Sequence, residues 1–141
     1  MEVLNKMNLK FLSLSKNESF ARLAVASFCS NYNFDIEAIS DIKTAVSEAV
    51  TNSIVHGYEG NIGEIEIECN IFKEYVEIII SDKGVGIENI DKAITPFFTT
   101  KPEKERSGMG FTVMEGFMDK MEVTSEKSKG TTVKLIKKIL N

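Results

Sequence analysis

The sequence predicts an α+β fold, a two-layer sandwich with helices on one face of a mixed, mostly antiparallel sheet. Three observations point there. Two helical patterns follow one another near the start, over 15–31 and 35–57. A strictly alternating stretch, 64–71, is followed after a short turn by the apolar run VEIIIS, and a second hairpin pattern closes the chain. Helices grouped apart from hairpin-paired strands define this class. At 141 residues with 43% hydrophobic side chains, the chain has material for one core, so a single domain over 1–141 is expected.

In order, NLKFLSL at 8–14 reads as a first strand with weak alternation. SKNE follows, with Ser15 and Glu18 spaced as a capping box at the start of a helix that runs to about Asn31. Phe20, Leu23, Ala24, Ser27 and Phe28 recur at helical spacing and form its expected buried stripe, which leaves Arg22 near the exposed side. Asp35 is the next N-cap, and Ile42, Val46, Ala49, Val50 and Ser53 form the inner face of a helix ending at Gly57. After the loop YEGNIG, Ile65, Ile67, Cys69 and Ile71 point inward and Glu64, Glu66, Glu68 and Asn70 outward. Between Asp82 and Gly110 lies a long irregular segment with both prolines of the chain, of a kind usually functional in a compact domain. FTVMEGFMD, 111–119, is helical in pattern. The closing hairpin turns at Lys129 and Gly130.

Several function classes fall away on composition. The net charge is −4, with acidic and basic residues mixed along the chain, which argues against nonspecific nucleic-acid binding. No apolar run approaches the roughly 20 residues of a membrane span, and the start lacks a signal-peptide pattern, so a cytoplasmic protein with no membrane role is expected. Cys29 and Cys69 stand alone at apolar-patterned positions and read as reduced core thiols. His56 is the only histidine, which disfavours zinc.

SEAVTNSIVHGY, 47–58, carries Glu48, Asn52 and His56 four residues apart, a polar row climbing from the open face of the helix towards its core edge. Alone, such a row reads equally as a solvated helix face. Two glycine pairs downstream add weight to a nucleotide site. Asn52 offers a neutral oxygen suited to Mg²⁺. Glu48 can orient or deprotonate an attacking hydroxyl. Asp82 ends a strand just before GVG, where its carboxylate can accept from an exocyclic amine while Gly84 and Gly86 turn beside a flat ring; Asp and Gly after a strand are also ordinary turn chemistry. Gly108 and Gly110 precede a helix, where free NH groups attract phosphate. Neither GxG has the third glycine of a Rossmann site, and no P-loop motif exists.

The ordered set SEAVTNSIVHGY, SDKGVGI, TPFFTTKPEKERSGMGF and KGTTV over 35–136 resembles the Bergerat-type ATP site shared by gyrase, the ninety-kilodalton heat-shock chaperones, the MutL proteins and the histidine kinases. With NESFAR near its start, nearly the whole chain is similar to the bacterial anti-sigma factors that are also protein serine kinases, most closely the sporulation anti-sigma-F group. The resemblance implies Asn52 as Mg²⁺ ligand, Glu48 as general base, and Asp82, supported by Thr131, as the adenine reader. It implies that Gly84 and Gly86 line the adenine pocket and that Gly108 and Gly110 meet the phosphates. A lid would span 95–108, with Lys101 and Arg106 on phosphate or partner; solvated loop charge is the alternative. Arg22 matches a partner-contacting position, the alternative being an ordinary exposed helix arginine. His56 matches a structural helix-end position.

The function so implied is ATP-dependent binding and inhibition of a sporulation sigma factor, sigma-F, together with phosphorylation of a serine on an anti-anti-sigma antagonist, by a homodimer using ATP and Mg²⁺. His56 lies inside the nucleotide motif, so the phosphoacceptor is expected on another protein. Two alternatives stand beside this: a general-stress anti-sigma kinase of the sigma-B type, and a noncatalytic nucleotide-gated module that only sequesters its partner.

Overall fold

The computed structural model describes residues 2–94 and 110–140. Five strands, β1 (Asn5–Leu12), β2 (Glu64–Ile71), β3 (Tyr75–Asp82), β4 (Lys120–Glu126) and β5 (Gly130–Lys138), form one sheet in the order β1-β2-β3-β5-β4. Every pairing is antiparallel, which narrows the expected mostly antiparallel sheet to a uniform one among the described strands. Helices α1 (Lys16–Cys29), α2 (Ile36–Asn52), α3 (Ile90–Ile94) and α4 (Gly110–Phe117), with a π-helical turn (Ser53–Gly57) directly after α2, complete the described elements.

Alternation in β2 and β3 does what its period demands. Ile65, Ile67, Cys69 and Ile71 are buried opposite Asp82, Ile80, Ile78 and Val76, and Val133 and Leu135 of β5 continue the same face. Ala21, Val25, Ile42, Val46, Val50 and Met114 of the helices close over this layer as one core. Each valine, isoleucine or methionine among them contributes roughly 1.5–3 kcal/mol when taken from water. The other face sets glutamates of β2 and β3 between lysines of β1 and β5. Asn8 Nδ2 donates to Glu66 at 2.6 Å, Asn70 bridges Glu68 and Glu77 at 2.8 and 3.2 Å, and Lys134 pairs with Glu77 at 3.8 Å.

Three expectations shift. β1 starts earlier and leaves the ladder at Leu12, because it pairs with the full length of β2 from Asn5↔Ile71 to Leu12↔Glu64. The capping box does not form: Ser15 already has helical φ/ψ, so its hydroxyl cannot reach back, and Glu18 lies 3.6 Å from Arg22 instead. The stripe of α1 also rotates. Ala21, Val25, Ala26 and Cys29 are buried, while Phe20 and Leu23 stay 54% and 52% exposed. Two overlapping apolar stripes exist in this helix, and the one built from small side chains faces inward, since it lets α1 approach α2 closely.

Asp35 caps α2 as expected, its Oδ1 accepting from Ala38 N at 2.7 Å. At Ser53 the helix widens into a π-turn, Ser53–Gly57, closed by a Tyr58 N to Ser53 O bond of 2.9 Å. Such turns are frequent at functional sites.

Candidate functional site

The β3–β5 register sets Asp82 directly across from Thr131 at the end of both strands. The π-turn of α2 lies over that end. Asp82 is only 7% exposed, and its carboxylate is held by three donors. Oδ1 accepts from Gly84 N at 2.9 Å and from Thr131 N at 3.3 Å, and Oδ2 accepts from Ser53 Oγ at 2.7 Å. A carboxylate has about four lone-pair directions, so Oδ2 keeps one for a ligand donor.

The GVG turn is wedged between two backbone walls. Val85 N donates to Gly57 O at 2.8 Å, Tyr58 Oη accepts from Lys83 N at 2.8 Å, and Ser128 N donates to Val85 O at 2.6 Å. A Cβ on Gly84 would lie 2.1 Å from Gly57 O, and one on Gly86 2.2 Å from Glu126 O; Gly86 also has φ +78°. Glycine is required at both, by space at the first and by space and conformation at the second.

A cavity of about 720 Å³ opens from this point, lined by Asn52, Ser53, His56, Asp82, Val85, Gly86, Gly110, Phe111 and Thr131 among others. At its far end the bare Cα of Gly110, the first residue of α4, lies against the side chain of Asn52; an added Cβ would meet Oδ1 and Nδ2 at 3.1 Å. The cavity thus has a buried carboxylate at one end and an amide oxygen beside a helix N-terminus at the other. That donor set fits a nucleotide: an amine-bearing base at Asp82, and at the other end phosphate by the α4 NH groups with a hard cation on the Asn52 oxygen. No cluster of three or more His, Cys, Asp or Glu able to hold a metal lies among the described residues, and one neutral oxygen acting with phosphate oxygens needs none.

The structure therefore brings together Asn52, Asp82, Gly84, Gly86, Gly110 and Thr131 around one cavity end to end. Lys101, Arg106, Gly108 and the rest of the expected lid, 95–108, lie outside the described residues. Glu48 is not among the described residues lining the cavity. It lines a separate groove of about 380 Å³ with Arg22, Ser40, Lys43, Thr44 and Ser47, on the α1–α2 side. Arg22 is half-buried there, with Nη2 3.3 Å from Ser19 Oγ.

Sequence reasoning missed Ser53 as a site residue, having placed it on the inner face of α2. A hydroxyl on a core-facing stripe must find a buried partner, and that is the signal that could have found it. Lys92 and Lys127, which also line the cavity, carried no sequence signal beyond exposed charge. Among the described residues no helix is long and apolar enough to cross a membrane.

Residues 13–137 match the family described as the histidine kinase-like ATPase domain. The chain is 55% identical over 137 residues to the anti-sigma F factor of Clostridium kluyveri, a span covering 97% of this chain and 96% of that one. It is 56% identical to that of Clostridium beijerinckii over 95% of this chain and 94% of the other, and 54% identical to that of Bacillus thuringiensis over 97% and 94%. A cavity built on α2, the GVG turn and the start of α4, carried by a sequence this similar end to end, places the chain in the histidine kinase-like ATPase domain family, among its anti-sigma F factors.

Proposed function

We propose that this protein is a cytoplasmic anti-sigma factor that binds and inhibits a sporulation sigma factor, sigma-F, when loaded with ATP, and that it phosphorylates a serine on an anti-anti-sigma antagonist. Residues 1–141 act as one unit in this reading. The observation that carries it is the nucleotide-fitting cavity, which gathers the held carboxylate of Asp82 and the Asn52 amide beside Gly110 at the start of α4.

Asp82 reads the base through the free direction on Oδ2, with Ser53 and Thr131 fixing the carboxylate. Asn52 holds Mg²⁺ through its amide oxygen, and Gly110 at the start of α4 faces the phosphates, with Gly108, Lys101 and Arg106 assigned to the same end. Bound Mg-ATP supplies the phosphoryl group, and the metal neutralises charge on it. Glu48 takes the proton of the acceptor serine hydroxyl, and Arg22 holds the protein partner beside it. A homodimer belongs to the same proposal, and the outer edge of β1 is an open strand edge that pairing could cover.

One observation favours a noncatalytic sequestering module: Glu48 lines the groove and not the cavity. The deciding experiment incubates the purified chain with γ-labelled ATP, Mg²⁺ and candidate antagonist, alongside Glu48→Ala. Acid-stable label on the antagonist, lost in Glu48→Ala with ATP binding retained, is expected. No label with intact ATP and sigma-factor binding selects the sequestering module. Capture of a general-stress sigma factor in place of sigma-F would reassign the partner.

A further inference from the structure

Core-facing positions along β5 are Val133, Leu135 and Lys137, so the alternation that buries two apolar side chains turns a lysine to the same side. Its side chain is 14% exposed and that of its partner Asp41 19%, with Nζ 3.1 Å from Oδ2. Nζ also donates to the carbonyl of Phe117 at 2.5 Å. One ammonium thus ties together β5, the first half of α2 and the last turn of α4, where a cation also suits the exposed carbonyls.

The other end of α4 is Gly110, packed on Asn52. Asp41 and Asn52 are three turns apart on α2, roughly 16 Å, and α4 is eight residues, roughly 12 Å, so the short helix runs antiparallel to α2 and is held to it at both ends. A helix this short has little stability of its own, and Gly116 near its end lowers it further. A partly buried ion pair adds little net stability over a well-packed apolar pair, but its hydrogen bonds have direction.

We propose that Lys137 is a positioning residue for the nucleotide phosphates: through Asp41 and the Phe117 carbonyl it sets the tilt of α4 on α2, and hence the gap between Gly110 and Asn52. This rests on the nucleotide reading of the cavity. The carboxylate of Asp82 at the base end is held by Ser53, Gly84 and Thr131 and by no bond from α4 among the described residues, so that tilt leaves it in place.

The test titrates the full chain with Mg-ATP and separately with adenosine, using Lys137→Met, Lys137→Arg and the double variant Asp41→Leu with Lys137→Met. Lys137→Met is expected to bind ATP about tenfold more weakly, the scale of losing one well-placed bond to a charged group, with adenosine changed by less than about twofold. Lys137→Arg, which keeps a cation with several donors, restores ATP binding. If leaving Asp41 unpaired prevents folding, the double variant carries the test and shows the same selective loss. Equal losses for ATP and adenosine, unchanged ATP affinity in folded Lys137→Met, or full ATP affinity in the double variant overturns the proposal. Failure of the unsubstituted chain to bind ATP refutes the nucleotide reading itself, which ATP binding by that chain leaves standing whatever the variants do.

Discussion

Asp82→Asn changes one atom's chemistry at a site whose neighbours dictate how the new side chain must lie. Oδ1 faces two backbone donors, Gly84 N and Thr131 N, so the amide oxygen has to occupy that place. The amide nitrogen then takes the Oδ2 place beside Ser53 Oγ, which can turn from donor to acceptor. The fold keeps its bonds, but the one direction open to a ligand changes from acceptor to donor. An adenine amine now meets another N–H. Losing a hydrogen bond to a charged acceptor costs about 1.5–3 kcal/mol, or roughly 10- to 150-fold in affinity. Inosine triphosphate, which presents a carbonyl at the corresponding place, should rank above ATP on the variant and below it on the unsubstituted chain. Calorimetric titration with both nucleotides, beside a thermal melt, makes the measurement. ATP affinity within about threefold of the original in a folded variant, or equal losses for both bases, would refute the geometry argued for Asp82.

Asn52→Ala should weaken Mg-ATP binding while leaving adenosine binding close to its original strength, measured by titration with and without Mg²⁺. Gly84→Ala places a Cβ 2.1 Å from Gly57 O and should cost about 1–3 kcal/mol of stability along with nucleotide binding, checked by denaturant unfolding. Burial pushes the Cys29 thiol from its ordinary 9.0 up to about 12, and burial, with Cys29 and Glu68 nearby, raises Cys69 as well. The folded chain therefore holds protons that the unfolded chain releases, so stability is full below about pH 9 and falls as pH rises towards 12, by up to about 1.4 kcal/mol per thiol per pH unit. Unfolding midpoints across that window check the slope, and replacing both cysteines by alanine should flatten it.

Much of this architecture is legible from period alone. The strict alternation of 64–71 and the inner face of α2 from Ile42 to Ser53 read correctly because each has one dominant apolar stripe. α1 does not, since Phe20 and Leu23 on one stripe compete with Ala21 and Val25 on another, and the choice is made by contact with α2. The short α3 and the π-turn carry no pattern, being set by neighbouring chain. For the candidate site, the Asp82 turn and its glycines are readable because a tight turn after a strand constrains residue type. The Ser53 hydroxyl and the Lys137 tether become visible only once the strand register and helix packing are known. Glu48 shows the limit from the other side: its four-residue spacing from Asn52 suggests one shared site, yet the two side chains line different concavities.

The walls around the GVG turn have a genetic consequence. Gly84 and Gly86 each stand where any β-carbon would lie 2.1–2.2 Å from a carbonyl oxygen, and Gly130 stands likewise against Asp82 O. The harm is done by the first carbon, so it does not depend on which side chain follows. Every missense codon at these three positions is equally exposed to it, conservative or drastic. In a saturation library selected for nucleotide-dependent activity, these columns should be nearly empty across all nineteen replacements, while neighbouring Lys83, exposed and outside the cavity lining, tolerates a broad set.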